Sequence, residues 1–214
     1  MKKLLILGCG GHGRVIADIV EKNNHYSSIF FLDKKIESSN KFKTNFNKNI
    51  IGDISIDNLR KFSNEFSHAF VGIGDNKVRL KWLEVLQKLG YFIPNVIAPS
   101  AEISRYADIG EGCFINTNVV IQCNTRIDSG CIINTSSSID HDSFIKKGTH
   151  ISPGVNIAGN VHIGENTWIG IGSKIIENIN IGDNVIVGAG SLVLKNVQSN
   201  VVTFGNPAKI IKER

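Results

Sequence analysis

Long apolar runs are absent from this sequence. No uninterrupted apolar stretch reaches the ~18 residues that a membrane-spanning helix needs, so no insertion into a membrane is expected. The apolar residues 4–7 are too few for a signal peptide, and a glycine-rich segment follows them without a cleavage motif. We interpret residues 4–7 as a first β-strand and expect the protein to stay in the cytoplasm.

Cysteine and aromatic residues are also scarce. The 4 cysteines form no C-x-x-C pair, and we interpret them as small, reduced, buried residues. Aromatic residues make up 7% of the chain, and no basic stripe is interleaved with them, so nucleic-acid binding has no support. The formal net charge of +5 suits anionic small molecules such as nucleotides.

The first part of the chain, residues 1–95, alternates between strand-like and helix-like segments. Apolar runs predict buried strands at residues 4–7, 29–32 and 69–73. A helix is predicted to begin at Asp75 or Asn76 and to end at Gly90, with its apolar side chains on one face. This alternation predicts an α/β domain with a parallel sheet, and the polar stretch 34–49 is predicted to be a loop.

The second part, residues 96–214, has a period of six. Every sixth residue from Ile97 to Val193 is isoleucine or valine, and a second phase four residues later holds small or β-branched residues. This period fits neither an α-helix nor an alternating strand. It indicates a parallel β-solenoid of about five coils, in which each hexapeptide forms one side of a triangular prism and the isoleucines stack inside.

A resemblance to a known family rests on the repeat itself and on the segments 8–13, 31–33, 72–79, 134–142, 150, 158–161 and 205–209. Through them the whole chain resembles the hexapeptide-repeat acyltransferases, and within them the sialic acid O-acetyltransferase-like proteins and the N-acetyltransferases of UDP-4-amino-4,6-dideoxy sugars.

The resemblance implies a left-handed β-helix, a homotrimer, and acetyl-CoA bound in the groove between neighbouring prisms. It also implies that residues 1–95 form a Rossmann-like half domain that holds a nucleotide sugar. The expected activity is N-acetylation of a UDP-linked 4-amino-4,6-dideoxy sugar in bacterial glycan biosynthesis. The alternative is O-acetylation of sialic acid or another sugar hydroxyl.

The resemblance assigns catalysis to His141 and Asp142. Histidine suits proton removal near neutral pH, and the third place of its hexad turns His141 outward near a prism edge. Asp142 is expected to orient the imidazole, although the family often has the longer glutamate here. The residues expected to contact acetyl-CoA are His150, Gly159 through its backbone N–H, Ile171 and Ala189. Lys209 and Lys212 are interpreted as part of a solvated basic tail.

The glycine-rich segment after the first strand fits two kinds of nucleotide site. Gly8-x-Gly10-x-x-Gly13 with Asp33 20 residues further on matches the dinucleotide fingerprint. About 95 residues are too few for the full dinucleotide-binding fold, so one nucleotide diphosphate on the glycine turn and helix N-terminus is favoured. The substrate-binding candidates are Gly10, Gly11, His12, Asp33, Lys34 and Gly74.

Two other classes of protein remain open. One is a metal-dependent hydratase on the same prism, with zinc held by His141, His150 and His162. The spacing argues against it, because His150 and His162 are 12 residues apart, not 18, and so fall on different faces. The other class is a NAD-dependent or nucleotide-sensing protein without transferase activity. No metal is expected in the leading hypothesis.

Overall fold

The computed structural model describes residues 2–34 and 49–214, in two compact units, Met1–Pro94 and Asn95–Arg214. The predicted loop over 34–49 lies outside the described residues except at its two ends. Among the described helices, none combines the length and the hydropathy that a bilayer crossing requires.

The first unit is an α/β domain. Its described strands form one parallel sheet in the order β3-β2-β1-β4. The strands are β1 Lys3–Leu7, β2 Ser28–Leu32, β3 Ile50–Gly52 and β4 His68–Val71, and the helices are α1 Gly11–Asn23, α2 Ile56–Phe62 and α3 Asn76–Lys88. The carboxyl ends of β1, β2 and β4 therefore lie at one edge of the sheet, where the glycine-rich segments begin.

Local sequence explains the ends of these helices. Asp75 caps α3 because its Oδ1 accepts the N–H of Val78 at 2.9 Å, and Gly90, with φ +76°, lies just beyond its end. Ser55 caps α2, with its hydroxyl accepting the N–H of Asn58 at 3.3 Å. Neither α2 nor β3 is predicted from the sequence pattern.

The second unit is a left-handed parallel β-helix built from strands of two residues each. Each strand pairs with the strand one coil away, so that Ile133 lies between Ile115 and Ile151. The five-stranded sheet contains β7 Asp108–Ile109, β10 Arg126–Ile127, β13 Phe144–Ile145, β16 His162–Ile163 and β19 Asn180–Ile181. The six-stranded sheet contains β6 Glu102–Ile103, β9 Val120–Ile121, β12 Ser138–Ile139, β15 Asn156–Ile157, β18 Lys174–Ile175 and β21 Leu192–Val193.

The third side is an eight-stranded sheet that also includes the C-terminal segment. Its strands are β5 Val96–Ile97, β8 Phe114–Ile115, β11 Ile132–Ile133, β14 His150–Ile151, β17 Trp168–Ile169, β20 Ile186–Val187, β22 Val201–Gly205 and β23 Ala208–Glu213. The C-terminal segment, which is interpreted from the sequence as a solvated basic tail, forms a strand: β23 pairs antiparallel with β22. Lys209 and Lys212 are exposed on this hairpin.

The repeat positions form the core of the β-helix. The inward isoleucines and valines from Ile115 to Val193 are buried, and the first three, Ile97, Ile103 and Ile109, are partly buried. The turns between strands repeatedly place a residue in the left-handed region, usually asparagine or glycine. Asp142 occupies one such position with φ 58°, which an aspartate tolerates better than most residues.

Candidate active site

His141 and Asp142 lie at one corner of the β-helix, in the turn between β12 of the six-stranded sheet and β13 of the five-stranded sheet. Nδ1 of His141 lies 2.7 Å from Oδ2 of Asp142, and the two side chains are 54% and 51% exposed. The shorter aspartate therefore reaches the ring, because the left-handed turn brings its carboxylate close. We call the turns stacked here the His141 corner, residues 104–107, 122–125, 140–143, 158–161 and 176–179.

Neighbouring groups hold this pair in place. Oδ1 of Asp140 accepts the backbone N–H of His141 at 2.8 Å. One coil earlier, Asn124 donates its Nδ2 hydrogen to Oδ1 of Asp142 at 3.2 Å, and the carbonyl of Cys123 accepts the backbone N–H of Asp142 at 3.2 Å. The prediction that the cysteines are buried is wrong for Cys123, because the turn exposes it.

The carboxylates raise the pKa of His141 above its ordinary value of 6.5. The hydrogen bond that His141 donates to the Asp142 carboxylate is the largest cause, and the negative charge of Asp140 adds to it. In turn, the hydrogen bonds from His141 and then from Asn124 lower the pKa of Asp142. An ionised Asp142 accepts a hydrogen bond from the Nδ1–H of His141. This leaves Nε2 of His141 as the atom that can take a proton.

Gly159 lies beside the His141 ring, one coil further along. A Cβ atom at this position would lie 2.7 Å from Cε1 and 2.8 Å from Nε2 of His141, closer than real atoms approach. Only glycine therefore leaves room for the ring. Its own N–H donates to no acceptor in the described part of the chain, so this donor remains available near Nε2.

A second group of predicted residues lies on the eight-stranded sheet. His150, Ile171 and Ala189 line one apolar cavity of about 450 Å³. His150 stacks on Trp168, with ring centroids 5.1 Å apart and an angle of 16° between the planes. Trp168 was not among the predicted site residues, although it lies one coil after His150 and is its direct strand partner.

One chain does not bring all the predicted residues of the β-helix together. His141, Asp142 and Gly159 share the His141 corner, whereas His150 belongs to β14 of the eight-stranded sheet. Ile171 and Ala189 lie in the turns that leave this same sheet. His162 is on the five-stranded sheet, so the three histidines of the hydratase alternative are also separate, and the described residues contain no group of three potential metal ligands.

The first unit gathers all of the predicted substrate-binding residues around one cavity of about 710 Å³. These residues are Gly10, Gly11, His12, Asp33, Lys34 and Gly74. The glycines of this region have two different roles. A side chain on Gly13 would collide with the carbonyl oxygen of Gly8, so that glycine serves close packing. In contrast, a Cβ on Gly10, Gly11 or Gly74 would meet nothing within 4 Å.

The electrostatics of this cavity favour an anion. Helix α1 begins here with Gly10 as its cap, without a side-chain capping bond and without an acidic residue in its first turn. No capping side chain and no acidic residue of its first turn therefore neutralises the positive end of this helix. Lys34 and Lys81 add cationic side chains to the lining.

Two side chains in the cavity wall are His12, whose charge is defined, and Asp33, whose position is defined. Burial, and secondly the charge of Arg79, lowers the pKa of His12 to about 4, so His12 is neutral at pH 7. The carboxylate of Asp33 accepts the N–H of Cys9 at 2.6 Å, which fixes it beside the glycine turn. Trp82 and Val78 also line the cavity, and both belong to the apolar face that the sequence predicts for α3.

The second unit is a β-helix that carries a histidine–aspartate pair beside Gly159, and the first is a small α/β unit with a glycine-lined cavity. These two features are those of a hexapeptide-repeat transferase. Family models agree: residues 3–86 match the PglD N-terminal domain, and residues 160–195 match the bacterial transferase hexapeptide (six repeats).

Solved structures narrow the class. The acetyltransferase domain of PglB from Neisseria gonorrhoeae, in complex with acetyl coenzyme A, is 33% identical with a TM-score of 0.90, over 98% of this chain and 99% of that one. PerB from Caulobacter crescentus, in complex with CoA and GDP-perosamine, is 30% identical with a TM-score of 0.89, over 99% and 98%. WeeI from Acinetobacter baumannii is 26% identical with a TM-score of 0.86, over 99% and 100%. The chain belongs to the hexapeptide-repeat acyltransferases, in the subgroup of these sugar acetyltransferases.

Proposed function

We propose that this protein is an acetyl-CoA-dependent N-acetyltransferase that acts on a UDP-linked 4-amino-4,6-dideoxy sugar in bacterial glycan biosynthesis. The cavity of the first unit carries this proposal. A nucleotide diphosphate suits its open glycines, its two lysines and its helix N-terminus, which has no capping side chain. Free sialic acid, the acceptor in the O-acetylation alternative, has no diphosphate to use such a cavity.

The residues of the His141 corner suit the chemistry of acetyl transfer to an amine. Nε2 of His141 accepts the proton that the amine loses as it attacks the thioester carbon. Asp142 holds the ring by Nδ1 and stabilises its protonated form. The N–H of Gly159 donates to the carbonyl oxygen that gains negative charge. No covalent acyl-enzyme is required, because the amine attacks directly and CoA leaves as thiol or thiolate.

The relatives support this proposal. PglB was solved with acetyl coenzyme A, and PerB with CoA and GDP-perosamine. Two further structures of the perosamine N-acetyltransferase are variants in which a single histidine is replaced by asparagine or alanine.

The test is thiol release from acetyl-CoA by purified protein with a panel of acceptors. The panel contains a UDP-4-amino-4,6-dideoxy sugar, GDP-perosamine and free sialic acid. Rapid release with the UDP-sugar alone is the expected result. Release with GDP-perosamine instead would show that the substrate carries GDP and not UDP. Release with sialic acid alone would replace the proposal by O-acetylation.

The separation of the predicted residues supports a homotrimer with shared active sites. In this proposal, the His141 corner of one subunit faces the His150-lined cavity of its neighbour across the groove. Each half of the site then comes from a different chain, and a closed ring of three subunits contains three such sites.

Mixed oligomers test this arrangement. His141→Ala removes the base, and Ala189→Trp fills the apolar cavity of about 450 Å³. Each variant alone is expected to be inactive, whereas co-expressed chains should recover about a quarter of wild-type activity, since each site needs one intact half from each variant. Mixing that restores nothing, although mass measurement shows mixed trimers, would place both halves in one subunit.

The pH dependence of turnover follows from the pKa of His141. Only the neutral ring accepts a proton, and its pKa is raised above 6.5. We therefore expect kcat to fall as the pH decreases through this raised pKa. In Asp142→Asn, which keeps a residue suited to the left-handed turn, the fall should move to lower pH and kcat should decrease. An unchanged acid limb in kcat–pH profiles would show that Asp142 does not control the base.

A further inference from the structure

Asparagines of the left-handed turns form ladders along the β-helix. At the His141 corner, Asn160 donates its amide to Oδ1 of Asn178 at 2.8 Å. At another corner, Asn184 donates to Oδ1 of Asn200 at 2.9 Å. These contacts join one turn to the next, and asparagine suits the positive φ of the turns. Their role is therefore to stabilise the solenoid.

One contact of these ladders is made to Asp142 of the candidate active site. Asn124, with φ 55°, donates its Nδ2 hydrogen to Oδ1 of Asp142 at 3.2 Å. The other oxygen of the same carboxylate, Oδ2, lies 2.7 Å from Nδ1 of His141. Each oxygen of the carboxylate therefore has its own partner. The hydrogen bond from Asn124 to Oδ1 fixes the orientation in which Oδ2 contacts the imidazole.

We propose that Asn124 is a positioning residue for the His141–Asp142 pair. This inference rests on the proposed function, in which His141 is the base. Asn124 touches no reacting atom. Its amide keeps the half-exposed carboxylate from turning toward solvent, and the carboxylate then keeps the imidazole in one orientation beside Gly159.

Few charged or titratable groups act on His141 besides this pair. Asp140 lies in the same turn and accepts the N–H of His141. Cys123 precedes Asn124 at the corner one coil earlier, and Arg105 and Glu177 occupy the corresponding positions two coils before and two coils after His141. Asn124→Gly leaves these groups in place and adds no charge, so a shift in the titration of His141 in that variant reports on the ladder contact.

Two replacements of Asn124 should act in opposite directions. Asn124→Gly removes the amide and retains the freedom for a positive φ. The carboxylate then spends less time against Nδ1, so the pKa of His141 should fall toward 6.5 and kcat should fall about tenfold, with KM unchanged. Asn124→Asp keeps the shape but adds a negative charge beside Asp142. It should raise the pKa of His141 and move the acid limb of kcat to higher pH.

The matched control is Asn184→Gly. Asn184 has the same φ of 55° and donates to a ladder asparagine rather than to a catalytic carboxylate. It should lose at least as much thermal stability as Asn124→Gly, because Asn184 also accepts the amide of Asn166 at 3.0 Å, and yet keep the kcat, KM and pH profile of the wild type. Equal changes of activity in the two glycine variants would overturn the inference, because they would show a purely structural role.

A titration of the enzyme without substrates separates this inference from the proposed function. NMR signals of the 6 histidine rings are followed against pH, and the His141→Ala variant assigns the signal of His141. A lowered pKa of His141 in Asn124→Gly would support the positioning role even if no amino sugar were acetylated. An unchanged pKa in Asn124→Gly would overturn it even if the wild type were fully active.

Discussion

Replacing His141 by alanine is expected to lower kcat by about 10²–10⁴-fold and to leave the KM values for both substrates nearly unchanged. The proposed base acts only as the amine loses its proton, so its loss affects the transition state more than the bound ground state. Thiol-release kinetics at saturating concentrations of both substrates measure the effect. The side chain is half-exposed, so the fold should tolerate the change.

His25→Ala is a suitable control, because His25 is also exposed but lies in the first unit, between α1 and β2. It should retain wild-type kinetics. A His141→Ala variant that kept more than about a tenth of the wild-type kcat would contradict the assignment of His141 as base, since general-base removal costs at least about 10²-fold. The proton acceptor would then have to be sought elsewhere at the corner.

The β-helix could be predicted from sequence because its period directly reports the geometry. An inward isoleucine every six residues places three per coil, and the structure pairs them at 18-residue spacing, as Ile133 with Ile151. The C-terminal hairpin gave no such signal. Its second strand alternates weakly and is largely exposed, and its partner is β22, whose pairing depends on the preceding coil. Likewise, β3 and α2 have only three and seven residues, too few for a clear period.

The candidate sites could be predicted where chemistry distinguishes the residue, and not where only packing does. Trp82 and Val78 continue the apolar face of α3, and a helical pattern cannot tell a core contact from a cavity wall. Asn124 belongs to a ladder of ordinary turn asparagines, so its residue type carries no information about catalysis. A usable signal does exist: the residue 18 positions before Asp142 had to be its neighbour once the coil length was known.

Gly159→Ala is expected to lower kcat by about 10²-fold, because it displaces the base without removing it. The new Cβ would lie 2.7 Å from Cε1 and 2.8 Å from Nε2 of His141, so the half-exposed imidazole must swing outward. Misplacement of a catalytic group by about 1 Å costs on this order. The fold should be little affected, since the side chain that must move borders on solvent. Rates in single-turnover experiments with bound substrates measure the chemical step itself.

A double-mutant cycle separates this steric effect from any other role of Gly159. In the His141→Ala background the imidazole is gone, so adding Gly159→Ala should change kcat little further. A further loss of about 10²-fold in that background would instead show a second role of Gly159 that does not depend on the ring, such as access of the thioester oxygen to its backbone N–H, which the methyl group would obstruct. An unchanged kcat in Gly159→Ala alone would contradict the steric effect, because it would show that the ring does not need the space that this glycine leaves open.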